Sequence, residues 1–366
     1  MKEKGLEVLK ILEDNNFESY IVGGYTRDYL LNKKSNDVDI ATSATPKELL
    51  SIFNEITSTN DKYGSVSIIY KNTKYDITTF RKETKYKDNR SPSKVKYIKD
   101  IKKDLLRRDF TINTFCMNQY GEILDLLKVR NDLDKHIIKT VGNPRYRLKE
   151  DALRILRAIR FATILDFEID KKTKYYITKY AYLLKKLSPT RKKEELDKIF
   201  SSVNKEKGRN LLLELKLDKY LNLVNLENIV MCDDIIGIWA QLECDNSYPF
   251  TKLELSHISK IKALLQEKNI DNKIIYKYGL YITTVVSQIK KIDIQNINII
   301  YRNLPIKTKE EIDITGKEIS IILDKKPGPY LKEIMNDIEL NIIENKLNNT
   351  KEEISQYIKN KYQETV

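Results

Sequence analysis

The sequence predicts an α+β fold in which a small mixed-sheet head is followed by an all-helical remainder. In the first third, the β-branched and aromatic runs "SYIVGG", "VSIIYK" and "YDITTF" follow the helical apolar spacing of "KGLEVLKILEDN". Beyond Pro144 the strand patterns fade, and amphipathic helical patterns such as "GRNLLLELKLDKYL" continue almost to the end. Strands collected at one end and helices at the other are typical of the α+β class.

Composition narrows the chemistry that the chain can perform. The 366 residues suffice for two or more domains, and 66 basic against 53 acidic residues give a net charge of +13. Such an excess indicates a polyanionic partner, with a lysine-rich proteome as the alternative. Only two histidines and three cysteines occur, without metal-ligand spacing, so a zinc site, a disulfide framework and a Ser-His-Asp triad are disfavoured. Carboxylates and arginines are left to carry any chemistry.

The sequence predicts a cytoplasmic protein with no membrane partner. No apolar run approaches the roughly 18 residues that cross a bilayer. The N-terminus "MKEKGLEVLK" also lacks the pattern of a signal peptide.

The composition of the chain shifts over residues 81–108. They include 12 basic and 4 acidic residues, and "DNRSPSK" within them has turn chemistry. The pattern predicts an exposed loop that leads into a strand.

The stretch "IVGGYTRDYLL" predicts a strand, a turn at Gly23 and Gly24, and a helix that begins near Tyr25. Glycines at such a turn let backbone N–H groups approach a phosphate, and a helix N-terminus favours the anion. Arg27 would add a bidentate phosphate contact. A plain tight turn is the alternative.

Two aspartates one residue apart follow in "NDVDIAT". In a strand Asp37 and Asp39 would point to one side, and carboxylates that close repel unless a cation lies between them. Mg²⁺ suits such a pair, because it takes one or two protein carboxylates together with substrate phosphates. Asp76, in the alternating strand "KYDITTFR", could complete a catalytic trio for phosphoryl transfer. Solvated aspartates in a turn, and an edge-strand carboxylate at Asp76, are the alternatives.

The stretch "LLRRDFTINTF" places cations and a carboxylate at the edge of the head. Its arginines, Arg108 among them, could bind a triphosphate, and Asp109 or Asn113 could bond ribose hydroxyls. A structural salt bridge is the alternative.

One amphipathic helix, "KEDALRILRAIRFA", carries a polar stripe of Asp151, Arg154, Arg157 and Arg160. Salt bridges on a solvated face are the ordinary explanation. A carboxylate beside a guanidinium also complements an amino group next to a ring nitrogen, the edge shared by cytosine and adenine. Uracil and guanine present the opposite pattern, so an Asp–Arg pair would accept CTP and ATP and reject UTP and GTP.

The order and spacing of these motifs resemble the class II tRNA nucleotidyltransferases, the CCA-adding enzymes of the polymerase-β-like and bacterial poly(A) polymerase group. The resemblance covers most of the chain: "GGYTRD", "DVDIAT", "YDITTFR", "DLLRRDFTIN", "VGNPRYRLKEDALRILRAIRFA", "SPTRKKEEL" and "KKPGPYLKEIMNDIE". Asp76 stands where relatives often have Glu, which makes its part in metal binding the weakest element of the pattern.

The resemblance implies a catalytic head over residues 1–138, a helical neck over 139–200, a body over 201–300 and a tRNA-binding tail over 301–366. It implies Mg²⁺ at Asp37 and Asp39, and tRNA held at its acceptor arm and, near residues 325–330, at its elbow. Nucleotide contacts are implied for Gly24, Arg27 and Arg108 at the phosphates, Asp109 at the ribose, Asp151 and Arg154 at the base, and Arg157 and Arg160 in support. Residues 81–94 resemble the flexible loop of the family.

The activity implied is addition of C, C and A to the tRNA 3′ end from CTP and ATP, with release of pyrophosphate. A-adding and CC-adding enzymes share the scaffold, although the segment "RKETKYKDNRSPSKV" disfavours CC-only addition. Poly(A) polymerase is a further alternative, disfavoured by "NEITSTNDKYG" before the "GSVSI" strand. A non-catalytic RNA-binding protein is the alternative from another class, and the complete set of acidic and arginine motifs disfavours it.

Overall fold

The computed structural model describes residues 2–35, 37–60, 63–87, 91–242, 244 and 247–363, with the backbone alone for 84–87 and 91–94. The chain divides into two compact units, each described below by itself. The first comprises Met1–Glu227 with Asp245–Pro249, and the second Asn228–Cys244 with Phe250–Val366.

A seven-stranded mixed sheet organises the N-terminal part of the first unit. Its strands are β1 (Ser19–Val22), β2 (Asp39–Thr42), β3 (Ile56–Asn60), β4 (Ser65–Tyr70), β5 (Thr73–Thr79), β8 (Cys116–Met117) and β9 (Ile123–Leu124). Their order is β3-β4-β5-β2-β1-β8-β9; β2 and β5 run parallel and the other pairs antiparallel. A mixed sheet followed by mostly helical structure confirms the predicted α+β class.

The core of the sheet follows from apolar periodicity. Helix α1 (Lys2–Asp14) buries Val8, Leu9 and Leu12, which the helical repeat places on one face. Strand β5 buries Tyr75 and Ile77 by the twofold alternation of a strand, so Asp76 between them points to the other face. The apolar side chains of the sheet thus pack in the core, while Asp76 lies on the opposite face of β5.

Residues 81–108 differ from the loop that was predicted. They form β6 (Arg81–Lys87), β7 (Ser91–Tyr97) and a short helix, α4 (Ile101–Leu105), with β6 and β7 paired as an antiparallel hairpin. The loop prediction is wrong because high charge does not prevent pairing when Thr, Tyr and Val alternate with lysines. Pro92 is tolerated because both strands of a two-stranded hairpin are edge strands. The predicted turn at "DNRSPSK" falls partly on 88–90, outside the described residues.

The remaining elements of the first unit are mostly helical. A parallel pair, β10 (Ile137–Ile138) with β11 (Glu168–Ile169), accompanies them. The helices are α2 (Gly24–Leu30), α3 (Pro46–Ile52), α5 (Arg130–Asp134), α6 (Pro144–Glu150), α7 (Leu153–Leu165), α8 (Lys171–Tyr180), α9 (Pro189–Phe200), α10 (Lys205–Glu214) and α11 (Asp218–Leu221).

The predicted helix around "KEDALRILRAIRFA" is broken at Asp151. This residue has extended backbone angles (φ −142°, ψ 107°) and separates α6 from α7. Its carboxylate accepts the Leu153 backbone N–H at 3.0 Å, a capping contact that competes with continuing the helix. Asp151 therefore precedes the polar stripe of α7 instead of standing on it.

Helices are the regular secondary structure of the second unit in its described part. Its helices are α12 (Ile235–Gln241), α13 (Lys252–Leu265), α14 (Asn272–Lys290), α15 (Ile294–Arg302), α16 (Gly316–Ile322), α17 (Tyr330–Ile343) and α18 (Lys351–Ile358). Capping boxes of Thr251 with Glu254 and Thr315 with Glu318 fix where α13 and α16 begin. Among the described helices, none is both long and apolar enough to cross a membrane. The division into neck, body and tail stays a prediction.

Candidate active site

A polar cavity of about 650 Å³ opens in the first unit, where the β1–α2 turn, β2, the segment after α4 and helix α7 meet. Seven arginines and five acidic residues contribute to its wall. The lining residues are Val22, Gly23, Gly24, Arg27, Asp37, Asp39, Ile40, Thr78, Arg81, Glu83, Arg107, Arg108, Asp109, Asn113, Asp151, Arg154, Arg157, Arg160 and Phe161. A cavity rich in arginine suits an anionic ligand, and its carboxylates would hold cations or hydroxyl groups.

The cavity brings together most of the residues that the sequence singled out. Twelve of the thirteen predicted site residues line it, from four separate parts of the chain: Gly23, Gly24, Arg27, Asp37, Asp39, Arg108, Asp109, Asn113, Asp151, Arg154, Arg157 and Arg160. Asp76 is the one outside the lining.

Gly23 lies between the acidic and the basic walls of the cavity. It has a positive φ of 77°, which favours glycine, and α2 begins at the next residue as predicted. A Cβ added at Gly23 would lie 3.5 Å from Asp39 Oδ2 and 3.6 Å from Arg108 Nη1. Only a residue without a side chain keeps the space between this carboxylate and this guanidinium open to a ligand.

Asp39 begins β2 beside that turn, and Asp37 precedes it. Desolvation of the carboxylate by the surrounding protein and the negative charge of Asp37 raise the pKa of Asp39 to about 6. Asp76 adds a smaller effect in the same direction, and Arg108 lowers the pKa. A carboxylate whose ionised form is disfavoured by another carboxylate gains from a bound cation. The two hard oxygen donors therefore fit a divalent metal such as Mg²⁺.

Asp76 is adjacent to this pair but has partners of its own. It is in register with Asp39 across the parallel β2–β5 pair. The Ser67 hydroxyl donates to the Asp76 carboxylate, and Lys74 Nζ lies 3.5 Å from it. Within the described part of the chain, no three His, Cys, Asp or Glu side chains are grouped as a metal site. The metal hypothesis therefore rests on Asp37 and Asp39, and a catalytic part for Asp76 stays a prediction.

A hydrogen-bonded chain connects α2 with α7 across the cavity. Arg27 Nη1 donates to Asn113 Oδ1 at 2.8 Å, and Asn113 Nδ2 donates to Asp109 Oδ1 at 3.1 Å. Arg157 Nε donates to Asp109 Oδ2 at 2.7 Å. Burial alone would raise the pKa of Asp109, but Arg157 and the N–H groups of Asn113 and Phe110 hold it well below its usual range. Asp109 is therefore a fixed, ionised acceptor.

Phe161 is a cavity residue that the sequence did not single out. The guanidinium groups of Arg160, Arg157 and Arg27 lie 4.5, 5.2 and 5.3 Å from its ring centroid. Arg160 also pairs with the buried Glu195 of α9, at 3.2 Å. An aromatic face among three cations lowers the cost of holding them together. In sequence Phe161 is one more apolar residue of α7, so no signal marked it.

Arg154 is held by the protein framework from several directions. Its Nη1 donates to the Arg147 carbonyl at 2.8 Å and to Glu150 at 3.0 Å, and its Nη2 donates to the Arg107 carbonyl at 3.1 Å. Burial raises the pKa of Asp151, against the opposing charge of Arg154. The two predicted base-recognition groups thus share the cavity wall, and one of them is fixed.

Comparisons with known proteins agree along the whole chain. Models described as "Poly A polymerase head domain", "Probable RNA and SrmB- binding site of polymerase A" and domain 2 of tRNA nucleotidyltransferases match residues 19–139, 166–223 and 250–358. A CCA-adding enzyme from Staphylococcus haemolyticus is 33% identical, with 96% of each chain covered. A CCA-adding enzyme from Streptococcus agalactiae is also 33% identical, over 98% of this chain and 96% of the relative.

A solved structure gives the same result in three dimensions. The Bacillus stearothermophilus CCA-adding enzyme, crystallised in complex with CTP, superposes with a TM-score of 0.87 at 27% sequence identity. The match covers 99% of this chain and 97% of that one.

Proposed function

The chain belongs to the family of CCA-adding enzymes, and we propose that it adds C, C and A to the 3′ end of tRNA from CTP and ATP. Pyrophosphate is released at each addition. One observation carries the proposal: a single cavity holds an acidic pair, seven arginines and an Asp–Arg pair suited to a base edge. The proposed reaction has no covalent enzyme intermediate, so positioning and electrostatic stabilisation supply the catalysis.

Asp37 and Asp39 would hold Mg²⁺, which when bound lowers the pKa of a hydroxyl and neutralises phosphate charge. The Asp39 carboxylate lies beside the Gly23 turn, where the absence of a side chain leaves room for a triphosphate. Arg108 on the opposite wall would bind the phosphates, together with Arg27 and the backbone at Gly24. The tRNA 3′-hydroxyl then attacks the α-phosphate from the open side.

Asp109 is suited to bind the ribose. Arg157 and Asn113 fix its two oxygens and keep it ionised, so it accepts hydrogen bonds in one orientation. If Asp109 accepts from the ribose 2′-hydroxyl, a 2′-deoxyribonucleotide lacks the donor for this bond.

The base would be recognised by Asp151 and Arg154. Asp151 accepts from the exocyclic amino group of cytosine or adenine, and Arg154 donates to the adjacent ring nitrogen. Because the protein holds Arg154 through two backbone carbonyls and Glu150, it cannot turn to suit uracil without losing those bonds.

The tRNA would be held by phosphate contacts on a basic surface. Residues 171–186 contain six lysines and four tyrosines and no acidic residue. Tyr175 and Tyr182 are exposed there, and Lys179 Nζ lies 5.7 Å from the Tyr175 ring centroid. Lysine with exposed aromatic rings suits RNA backbone and base contacts. Residues 325–330 would bind the tRNA elbow, and the reaction would take place in the cytoplasm.

Incubation with tRNA lacking CCA, Mg²⁺ and labelled CTP, ATP or both tests the proposal. We expect two C residues from CTP alone and a complete CCA end from both nucleotides. Incorporation of A alone, onto tRNA that ends in CC, would select an A-adding enzyme. Incorporation of C alone when both nucleotides are present would select a CC-adding enzyme. A long A tail would select a poly(A) polymerase, and no incorporation at all would exclude nucleotidyltransferase activity.

The Mg²⁺ requirement is expected to depend on pH. Protons compete with the cation at Asp39, whose pKa is about 6 without metal. The Mg²⁺ concentration for half-maximal incorporation should therefore rise about tenfold between pH 7 and pH 5. Titrating Mg²⁺ at several pH values with saturating CTP measures it. An unchanged requirement over this range would remove Asp39 from the metal site.

The Asp109→Asn variant is expected to lose discrimination between CTP and 2′-deoxy-CTP. The uncharged amide loses its ion pair with Arg157 and cannot accept with both atoms. We expect the ratio of kcat/KM values to fall by about tenfold. Asp125→Asn, which alters a half-buried carboxylate outside the cavity, is the control. A loss of activity with both nucleotides in equal proportion would argue for a structural role instead.

A further inference from the structure

We propose that Asp104 is a positioning residue that holds Arg107 in the protein framework so that Arg108 stays available for the nucleotide phosphates. Asp104 lies in α4, outside the cavity lining, and its side chain is only 1% exposed. The inference rests on the proposed function, since it concerns how the same cavity binds a triphosphate. It assigns different tasks to two adjacent arginines that sequence alone treats as equivalent.

Asp104 gathers donors from two segments of the chain. Its Oδ1 accepts from Arg107 Nη2 at 2.7 Å and Arg107 Nε at 2.9 Å, and from the Arg81 backbone N–H at 3.0 Å. Burial alone would raise the pKa of Asp104, but the charges of Arg107 and Arg108 and these bonds hold it below its usual value. The carboxylate is therefore ionised and joins the end of α4 to the start of β6.

Arg107 is bonded to the protein through every guanidinium nitrogen although it lines the cavity. Besides its two bonds to Asp104, its Nε donates to the Arg81 carbonyl at 3.1 Å and its Nη1 to Glu83 Oε1 at 3.2 Å. Each of its three guanidinium nitrogens thus has an acceptor in the protein. These bonds fix the guanidinium of Arg107 in the framework and leave a phosphate at most one N–H on Nη1 and one on Nη2.

Arg108 is in the opposite condition. Its Nη2 has a long contact of 3.3 Å with Asp104 Oδ2, and its buried Nε has no hydrogen-bond partner among the described residues. Its Nη1 lies at the gap beside Gly23 and Asp39. A buried donor without a partner is costly in the free protein, and an incoming phosphate oxygen would satisfy it. The single contact with Asp104 orients this side chain without using up its donors.

The Asp104→Asn variant tests this division directly. The amide keeps the size of the side chain but loses its charge and one of its two acceptor atoms, so it can no longer accept from Arg107 at one oxygen and from Arg108 at the other. We expect about tenfold weaker binding of inorganic tripolyphosphate to the full-length protein, measured by calorimetry. The KM values for CTP and ATP should rise by one common factor, while the KM for tRNA and the CTP:UTP preference stay as in the wild type.

A double-mutant cycle separates positioning from a general structural effect. In an Arg108→Ala background, Asp104→Asn should cause no further loss of tripolyphosphate affinity. The same tenfold loss in that background would overturn the proposal. Asp132→Asn is the control: Asp132 is likewise a buried carboxylate paired with a basic side chain, in its case Lys139, and it lies away from the cavity.

A second variant keeps the test decisive if Asp104→Asn does not fold. Arg107→Gln retains an amide that can donate to Asp104, and it should bind tripolyphosphate within about twofold of the wild type although Arg107 lines the cavity. A tenfold loss there would assign phosphate binding to Arg107 and overturn the proposal. The tripolyphosphate binding measurements need no turnover, so a wild-type protein that fails to extend tRNA would refute the proposed function without deciding this inference.

Discussion

Replacing Asp39 with asparagine is expected to reduce nucleotide incorporation by about 10³-fold or more while raising the thermal stability of the metal-free protein. The loss of activity follows because an amide is a weak ligand for Mg²⁺ and leaves Asp37 as the remaining carboxylate. The gain of stability follows from the raised pKa of Asp39, about 6, in the folded chain. When a replacement abolishes activity and stabilises the fold, the original side chain is one that serves function at a cost in stability.

The sign of the stability effect can be stated for each pH range. Asp39 is protonated in the folded state up to about pH 6 but ionises near pH 4 when the chain is unfolded. Its contribution to stability therefore falls between these values and stays unfavourable above pH 6. At pH 8 without metal, Asp39→Asn should melt at a higher temperature than the wild type, and below pH 4 the difference should vanish.

Magnesium gives the complementary measurement. It should raise the melting temperature of the wild type and have little effect on Asp39→Asn, because ligand binding stabilises only a folded state that binds it. Asp125→Asn, altered at a carboxylate that bonds the Val129 and Arg130 backbone N–H groups, is the control and should respond to Mg²⁺ like the wild type. Wild-type activity in Asp39→Asn would contradict the metal assignment.

The acidic pair shows which kinds of feature sequence predicts well. A glycine turn between an apolar strand and a helix is a local signal, and the structure confirms β1, the positive φ of Gly23 and the start of α2. Because parallel β2 and β5 are in register at Asp39 and Asp76, the second carboxylate comes near the first as expected. Sequence could not foresee that Ser67 would bind Asp76, since Ser67 reaches it through the pairing of β4 with β5. Lys74 is two residues away on the same face of β5, so its contact follows from spacing and could have been predicted.

The features that were missed depend on contacts between distant segments or, at Asp151, on a local capping bond. Glu83 reaches Arg107 because β6 packs beside α4, and its segment was predicted as a loop from its charge. Phe161 belongs to the cavity only because three arginines, from two helices, surround its ring. The break at Asp151 escaped detection because the apolar repeat continues across it, while a capping bond to Leu153 decides the backbone. Periodicity assigns faces of elements; it does not assign their partners.

Replacing Arg154 with alanine is expected to reduce the preference for CTP over UTP by about 10²-fold or more. In the wild type, UTP would leave the fixed Arg154 donors facing the N3–H donor of uracil, and that mismatch of buried groups is the source of rejection. Alanine removes the opposing donor, so CTP and ATP lose a bond while UTP loses a repulsion. The measurement is kcat/KM for each nucleotide on one tRNA that lacks CCA.

Two further variants make the result specific to base recognition. Asp151→Asn replaces one acceptor atom with a donor and should improve the relative use of UTP, whose O4 accepts. Arg130→Ala removes a half-exposed arginine paired with Asp134 outside the cavity, and its nucleotide preference should equal that of the wild type. The Mg²⁺ requirement should be unchanged in all three variants, because none alters Asp37 or Asp39. If Arg154→Ala rejects UTP as strongly as the wild type, selection for C and A must come from the shape of the cavity and not from this pair.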